Sequence, residues 1–190
     1  MKYKICVSGA AVNICGKEME KKSLEIGKEI ARQGQVLING ATTGLPAVAA
    51  KGAKMEKGVC IGISPAMSLR EHTGKYRLPT ENLDLIVYTG FGYTGRNLFL
   101  IRSSDAVVFV CGRIGTLNEF TSAFEDRKPI GILLGSGGTT EYFDDIIRTA
   151  KRGNGFVIYD ADPKMLVKRL IKLTKEMDNN HNKSKGPKKG

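Results

Sequence analysis

A glycine-rich segment at residues 111–119 carries the residue types in this sequence that are best suited to chemistry. Glycines without a Cβ let a ligand approach the backbone closely. The start of a following helix adds free N–H donors and a partial positive charge, both of which favour a phosphate. A threonine hydroxyl can add one more hydrogen bond. The segment therefore predicts a phosphate-binding turn built from five consecutive residues: Gly112, Arg113, Ile114, Gly115 and Thr116.

A carboxylate and an arginine form the second chemical feature. Glu119 follows the phosphate turn by about one helical turn, and Arg96 lies on the helix predicted before it. If the strands that precede these two helices are neighbours in the sheet, both side chains converge at one rim. Such a pair can hold ribose hydroxyls, or stabilise the positive charge that develops on a sugar as its glycosidic bond breaks. A structural ion pair is the alternative, and Glu119 could instead serve as a capping-box residue.

Two earlier turns also have the composition of ligand-facing loops. Gly9 lies in a small-residue turn directly after the first predicted strand, where a plain tight turn is the alternative. Gly40, Thr43 and Gly44 lie between the second strand and a helix, so the free N–H groups of that helix face either a ligand or a cap. We expect these four residues to contribute to ligand binding.

A dinucleotide fingerprint is suggested by Gly90, Gly92 and Gly95, which fit G-x-G-x-x-G between a strand and a helix. The pattern sits in the middle of the chain rather than after the first strand, and no ribose-binding acid follows the next strand. Arg113 would have to accommodate a 2′-phosphate instead. An NADP-type oxidoreductase is therefore the least favoured of the functions considered, since no residue set for hydride chemistry is visible.

The elements that position these turns alternate between short apolar runs and amphipathic stretches. Most of the apolar runs lack polar alternation, which is typical of parallel strands buried on both faces. The repeated strand–helix order predicts an α/β fold, Rossmann-like and doubly wound, with helices on both faces. The predicted strands are 3–8, 36–38, 59–63, 85–88, 106–110, 130–134 and 156–158, and the predicted helices are 17–33, 45–55, 95–102, 116–124, 141–150 and 163–175. Residues 64–84 are the least regular and could form a flap over the site.

Composition bounds the remaining possibilities. The sequence predicts one nucleotide-binding domain at residues 1–177 and a disordered basic tail at 178–190, which lacks apolar residues to bury. The net charge of +11 suits an anionic ligand, but it is scattered, so nucleic acid is not expected as a partner.

The four cysteines are expected to be reduced, buried thiols in a cytoplasmic protein. No apolar stretch is long enough to span a membrane, and we expect neither a metal nor a cofactor.

Against this background, the chain resembles the LOG (Lonely Guy) family, including the branch that contains the molybdenum cofactor carrier protein. The family hallmark P-G-G-x-G-T-x-x-E is matched here at Gly112, Gly115, Thr116 and Glu119. Cys111 and Arg113 depart from it. The resemblance runs from about residue 5 to 134, and it places the family's arginine at Arg96, although the surrounding E-R-K-A-x-M pattern is lost. Residues 95–97 and 102–107 look closer to the carrier branch.

The resemblance implies a Rossmann-like fold, a phosphate-bearing nucleotide-like ligand and a homodimer or larger oligomer. Two functions follow from it. The first is hydrolysis of the N-glycosidic bond of a nucleoside 5′-monophosphate, with Arg96 and Glu119 as catalytic residues. The second is non-enzymatic carriage of a ligand such as molybdenum cofactor. Arg113 replaces a glycine of the hallmark and either adds a cation for a second phosphate or fills space that the hydrolase substrate needs. The label "possible lysine decarboxylase", often given to this family, describes an activity that we do not expect.

Overall fold

One sheet of seven parallel strands forms the centre of the molecule, in the order β4-β3-β2-β1-β5-β6-β7. The computed structural model describes the chain at residues 2–12 and 15–184, and its side chains up to residue 180. The strands are β1 (Lys4–Gly9), β2 (Val36–Asn39), β3 (Val59–Ser64), β4 (Leu85–Tyr88), β5 (Ala106–Val110), β6 (Pro129–Leu133) and β7 (Phe156–Asp160). This is the Rossmann-like α/β architecture that the sequence predicted.

Six helices connect the strands and cover both faces of the sheet. They are α1 (Gly16–Arg32), α2 (Leu45–Met55), α3 (Gly92–Ser103), α4 (Ile114–Glu125), α5 (Phe143–Ala150) and α6 (Pro163–Ser184). A short 3₁₀ helix, Gly138–Tyr142, leads into α5, and a π-helical turn, Glu71–Lys75, lies between β3 and β4. Each predicted helix is present, with boundaries shifted by a few residues in most cases.

The apolar runs explain why the strands lie inside. Every residue of β5 and of β6 is buried, as expected for parallel strands covered on both sides. Successive side chains of β1 enter different cores, so Ile5 packs with α1, α2 and α6, whereas Cys6 packs with α3, α4 and α5. Strand β4 differs because it is an edge strand, and its residues Leu85 and Val87 remain exposed.

The tail prediction is corrected for residues 178–184, which continue α6 to Ser184 rather than leaving it. An exposed helix can satisfy its own backbone hydrogen bonds without burying apolar side chains. The carboxylate of Asp178 also accepts a hydrogen bond from the Tyr3 hydroxyl and raises the pKa of Tyr3 beyond the effect of burial, which is the larger cause. Residues 185–190 lie outside the described residues.

Candidate functional site

The candidate site lies where the order of the strands reverses, between β1 and β5. These neighbouring strands send their following helices to opposite faces, α1 to one and α4 to the other, which opens a crevice at their carboxyl ends. A cleft of about 360 Å³ occupies this position. Its wall includes the turn after β1, the turn after β2, the start of α4 and one side of α3.

A buried polar cluster of three side chains forms the floor of the cleft. The Arg96 guanidinium donates from Nη1 to Glu119 Oε1 at 3.0 Å, and the Ser8 hydroxyl donates to Glu119 Oε2. Arg96 is 5% exposed and Glu119 is 6% exposed. Both oxygens of the carboxylate are therefore fixed in place, and a charged pair stands in a largely water-excluded pocket, where electrostatic interactions are strong.

Arg96 and Glu119 lie on helices whose preceding strands, β4 and β5, are not neighbours in the sheet. Strand adjacency, the condition that the sequence analysis set for their convergence, is therefore not met. Strand β4, which precedes α3, lies at the sheet edge, and three strands separate it from β5. Helix α3 crosses this width and packs against α4, so Arg96 reaches Glu119 from the far half of the sheet. The predicted convergence is present, but helix packing rather than strand adjacency produces it.

Gly40 makes room for the arginine. A Cβ at this position would lie 2.2 Å from Arg96 Nη1 and 2.7 Å from Cζ, well inside contact distance. The guanidinium thus packs directly against the backbone of the turn after β2. The guanidinium also makes a cation–π contact with the ring of Tyr93, whose centroid lies 5.9 Å from Arg96 Cζ.

One hydrogen-bond donor of this cluster has no acceptor among the described residues. It is the Nε–H of Arg96, which is buried. A buried N–H of a charged group that is left unpaired costs free energy. The cluster therefore holds one donor that the described part of the fold does not satisfy.

Burial raises the pKa of the Glu119 carboxyl above its ordinary range, and the charge of Arg96 and the hydrogen bonds from Ser8 and Arg96 oppose that rise. Glu119 does not act as a capping-box residue. Within the described part of the chain, no side-chain hydrogen bond caps the start of α4, and the carboxylate binds Ser8 and Arg96 instead.

The predicted phosphate turn leads from β5 into α4. Cys111 and Gly112 both have positive φ angles, 56° and 125°. Gly112 needs its missing Cβ because the side chain of Thr116 would lie 2.5 Å away. Gly115 is different: no described atom lies within 4 Å of the position that its Cβ would take, so this part of the backbone is open to the cleft.

The loop after β6 supports the phosphate turn from behind. Ser136 Oγ accepts a hydrogen bond from the Cys111 N–H at 2.8 Å. The N–H of Thr139 donates to the Gly112 carbonyl at 3.0 Å, and its hydroxyl donates to the Arg113 carbonyl at 3.2 Å. The turn is therefore held by contacts on the side away from the cleft, which leaves the other side for a ligand.

A disulfide bond links the chain after β1 to the chain after β5, on the two sides of the same crevice. Cys15, just before α1, is bonded to Cys111, with a Cα–Cα distance of 6.5 Å. The prediction of reduced, buried thiols is wrong for these two cysteines and confirmed for Cys6 and Cys60, which are free and buried. Cys15 follows β1 and Cys111 follows β5, and these two strands are neighbours in the sheet. The sequence alone does not give the strand order, so it could not indicate that the two cysteines meet.

Most of the predicted site residues line the cleft, and three do not. The lining includes Gly9, Gly40, Arg96, Arg113, Ile114, Gly115, Thr116 and Glu119. Thr43 instead donates its hydroxyl to the Ala11 carbonyl at 2.6 Å, and Gly44, at φ 74°, precedes α2 and packs on the same loop. Gly112 shapes the turn without lining the cleft. These three residues support the site's backbone.

Several lining residues were missed by the sequence analysis. Ser8 ends a buried run and carries no signal of its own, since only its position beside Glu119 reveals its use. Asn97 and Tyr93 lie on α3 next to Arg96, and the Asn97 amide donates to Asn118 Oδ1 at 2.9 Å across the gap to α4. A helical-wheel projection around Arg96 could have found Tyr93 and Asn97.

Two other sequence features lie outside the crevice, although one of them touches its wall. The glycines of the G-x-G-x-x-G pattern follow the edge strand β4 rather than a central strand, so the pattern is not at the reversal of strand order. The irregular segment 64–84 is anchored by buried His72, which hydrogen-bonds to Ser64 Oγ at 2.8 Å and to the Pro79 carbonyl at 2.9 Å. This segment touches the cleft wall through Tyr76, which packs edge-on against Tyr93.

Two other structural features, a metal-binding cluster and a membrane-spanning helix, are absent from the described residues. No group of three or more His, Cys, Asp or Glu residues there is arranged to hold a metal ion. In the same part of the chain, no helix is both long enough and apolar enough to cross a bilayer.

Strand order, crevice and buried pair together define an α/β protein of the Rossmann-like class with its site at the strand reversal. The chain belongs to the SLOG cluster4 family, whose model matches residues 2–167. This confirms the resemblance to the LOG-like proteins that the glycine-rich segment indicated.

Comparisons with individual proteins agree with this assignment. A protein of Archaeoglobus fulgidus, described as uncharacterized, is 33% identical over 119 residues, which is 63% of this chain and 73% of that protein. The molybdenum cofactor binding protein of Rippkaea orientalis has a TM-score of 0.74 and 27% identity, covering 94% of this chain and 98% of that chain. The molybdenum cofactor carrier protein of Chlamydomonas reinhardtii has a TM-score of 0.74 and 26% identity, covering 90% and 98%.

Proposed function

We propose that this protein binds a nucleotide-like molecule through its phosphate, in the cleft between β1 and β5, and serves as a carrier or binding protein for it. The cleft at the strand reversal is the observation that carries the proposal, because the buried Arg96–Glu119 pair and the open backbone of Gly115 both line it. The solved molybdenum cofactor binding and carrier proteins support the same class of ligand.

The phosphate would lie on the turn before α4. The open backbone at Gly115 allows close approach, and the first N–H groups of α4 point to the space that the turn encloses. Arg113 is exposed and lines the cleft, so its guanidinium adds a cation that can pair with a phosphate oxygen. The predicted role of Gly112 becomes indirect, since it shapes the turn.

The remainder of the ligand would extend over the buried pair. Ribose-like hydroxyls can donate to the Glu119 carboxylate and accept from the Arg96 guanidinium, since both residues line the cleft. Tyr93 and Asn97 lie on the same wall and supply a flat apolar face and an amide for a ring system. A cleft of about 360 Å³ lies within the usual range for small-molecule sites.

Hydrolysis of the N-glycosidic bond of a nucleoside 5′-monophosphate is the second candidate, and the Arg96–Glu119 pair favours it. A carboxylate fixed by Arg96 and Ser8 in a buried cleft can stabilise an oxocarbenium-like sugar as the bond to the base breaks. In this reaction a water oxygen forms the new bond to the sugar, and the base leaves with a proton.

One pair of measurements separates the two candidates. Protein purified under mild conditions is analysed by mass spectrometry for the small molecule that it retains. Wild type and Glu119→Gln are then incubated with a panel of nucleoside monophosphates, and the products are separated by chromatography. A carrier retains its ligand and releases neither free base nor ribose 5-phosphate. A hydrolase releases both, and Glu119→Gln lowers its kcat about a hundredfold or more with a far smaller change in KM. No retained ligand, no affinity and no turnover would contradict both.

The homodimer or larger oligomer implied by the family resemblance stays a prediction, as does a cytoplasmic location. Exposed apolar side chains around α3 and β4 are a suitable surface for a second copy of the chain. They include the stacked rings of Phe91 and Phe99, 5.2 Å apart, beside Leu85, Val87 and Leu98. Light scattering of wild type and Phe99→Glu tests this, with a shift to monomer expected for the variant. A monomeric wild type would contradict it.

A further inference from the structure

The Cys15–Cys111 bond joins the residue directly before α1 to the first residue of the phosphate turn. Gly9, Ala10 and Ala11, which end β1 and follow it, line the cleft, and so do Arg113 to Thr116, which follow Cys111. The bond thus links the chain after β1 to the chain after β5, the two segments that flank the cleft, across 96 residues of sequence.

The backbone at Cys111 has an uncommon conformation. Cys111 has φ 56°, a left-handed conformation that side chains with a Cβ rarely adopt. The disulfide, together with the hydrogen bond from the Cys111 N–H to Ser136 Oγ, holds the residue in that conformation. The conformation in turn directs Gly112 and the residues after it towards the start of α4.

We propose that Cys15 and Cys111 form a reversible thiol–disulfide site that sets the affinity of the cleft, with the oxidised form as the binding-competent one. With the bond in place, the cleft is open and its two walls are fixed. Breaking the bond frees the turn to sample other conformations, and a ligand must then order it again on binding, which lowers affinity.

The reductant is a dithiol, and the geometry sets the order of attack. Cys111 is 1% exposed, whereas Cys15 is partly exposed, so a thiolate of the dithiol reaches the Cys15 sulfur. The sulfur–sulfur bond breaks, and Cys111 leaves as a thiolate. The second thiol of the reductant then displaces Cys15 and closes a cyclic disulfide. Two electrons pass from the dithiol to the protein disulfide, and the two protons of the dithiol end on Cys15 and Cys111.

The other two cysteines do not take part. Burial raises the pKa of the Cys60 thiol to about 11 and that of the Cys6 thiol well above its ordinary value. Both lie on strands, Cys6 on β1 and Cys60 on β3, and their side chains are buried in the cores on the two faces of the sheet rather than in the cleft wall. A thiol that stays protonated and covered reacts slowly. Cys60→Ser is therefore a matched control that removes a thiol without touching the proposed site.

The test uses the full chain equilibrated with oxidised or reduced dithiothreitol. Alkylation followed by peptide mass spectrometry counts free thiols, hydrogen exchange follows the amides of 112–116, and calorimetry measures the Kd for adenosine 5′-monophosphate. We expect two free thiols when oxidised and four when reduced. Reduction should speed exchange in the turn about tenfold and raise Kd about tenfold. Cys15→Ser should match reduced wild type in both buffers, and Cys60→Ser should respond like wild type.

Two results would overturn the proposal: no Cys15–Cys111 linkage after oxidation, or a linkage that leaves either the exchange rates of the turn or a measurable nucleotide affinity unchanged. The affinity measurement rests on the proposed function, but the exchange measurement does not. If the nucleotide binds in neither buffer, the proposed ligand is wrong, and the exchange rates of the turn still decide whether the bond controls the cleft.

Discussion

Arg96 Nη1 lies 3.0 Å from Glu119 Oε1, and this contact joins a helix that starts at the edge of the sheet to one that starts at its centre. The pair is almost fully buried and belongs to the wall of the cleft. A buried pair of this kind is a weak source of stability as a whole, but its halves depend strongly on each other. Its role is to keep a charged, oriented carboxylate inside the site.

The first prediction concerns the mutual dependence of this pair. Arg96→Met leaves the Glu119 carboxyl buried without its cation, so unfolding in urea should show a loss of about 3–5 kcal/mol. The double variant Arg96→Met/Glu119→Gln should lose less than the sum of the two single variants. Arg148→Met is the control, because Arg148 pairs with Asp145 on the exposed surface, and its unfolding midpoint should not move. Strict additivity of the double variant would contradict the expected coupling.

A second prediction follows from the packing of Arg96 on the backbone. Gly40→Ala places a Cβ within 2.2 Å of Arg96 Nη1, so the guanidinium must move and its bond to Glu119 must break. Affinity for adenosine 5′-monophosphate, measured by calorimetry, should fall about tenfold or more. Gly74→Ala is the matched control, since no described atom lies within 4 Å of its added Cβ. Equal affinities for the two variants would remove Gly40 from the site.

The third prediction separates ligand contact from folding at Gly115. A Cβ at Gly115 would have no described atom within 4 Å apart from its chain neighbours and its own helix backbone, so Gly115→Val should retain the melting temperature of wild type to within a few degrees. The same side chain would project into the space expected for the phosphate. Calorimetry should therefore detect no binding of the nucleotide. A folded Gly115→Val protein with unchanged affinity would show that the phosphate lies elsewhere.

The fourth prediction uses the titration of Glu119. Burial raises the folded pKa of its carboxyl above the ordinary 4.5, so the folded state holds more protons than the unfolded state between those two values. Wild type should therefore lose stability relative to Glu119→Gln as pH rises from 4.5 through the raised value. Ser8→Ala removes a hydrogen bond that lowers the pKa, so the loss should extend to higher pH. Urea unfolding at a series of pH values measures both, and a difference that grows in favour of wild type would contradict the sign.

How far the sequence could predict the fold depends on which forces are local. Apolar runs such as 106–110 identify buried strands because burial on both faces removes polar alternation, and the structure has the strand at those residues. The order of the strands is a different matter. The runs of β4 and β5 do not encode which strand lies beside which, so the sequence could state their adjacency only as a condition, and three strands intervene in the structure.

The residues of the site divide in the same way, into those that a local pattern could predict and those that depend on contacts distant in sequence. Glu119 and Thr116 could be predicted because their spacing in the glycine-rich segment reflects a turn and one helix, which are local. Ser8 and the bond between Cys15 and Cys111 depend on contacts between distant parts of the chain, 111 and 96 residues apart. Thr43 was assigned to the ligand because threonines before a helix often face one, but a carbonyl of the neighbouring loop binds its hydroxyl instead.

The pairing of β1 with β5 also governs how the chain acquires this structure. Ile5 and Ala106 are register partners at the middle of the sheet, and the Lys4 backbone N–H binds the side chain of Asp105, 101 residues further along. During synthesis, β1 to β4 emerge first and can pair with one another, while one edge of β1 has no partner strand until β5 has been made. That edge presents unpaired backbone groups beside the apolar side chains of Ile5, Cys6 and Val7, so the nascent chain is prone to aggregate until β5 has been made. Folding is therefore set by a long loop closure, and the ligand cleft forms only when that closure is complete.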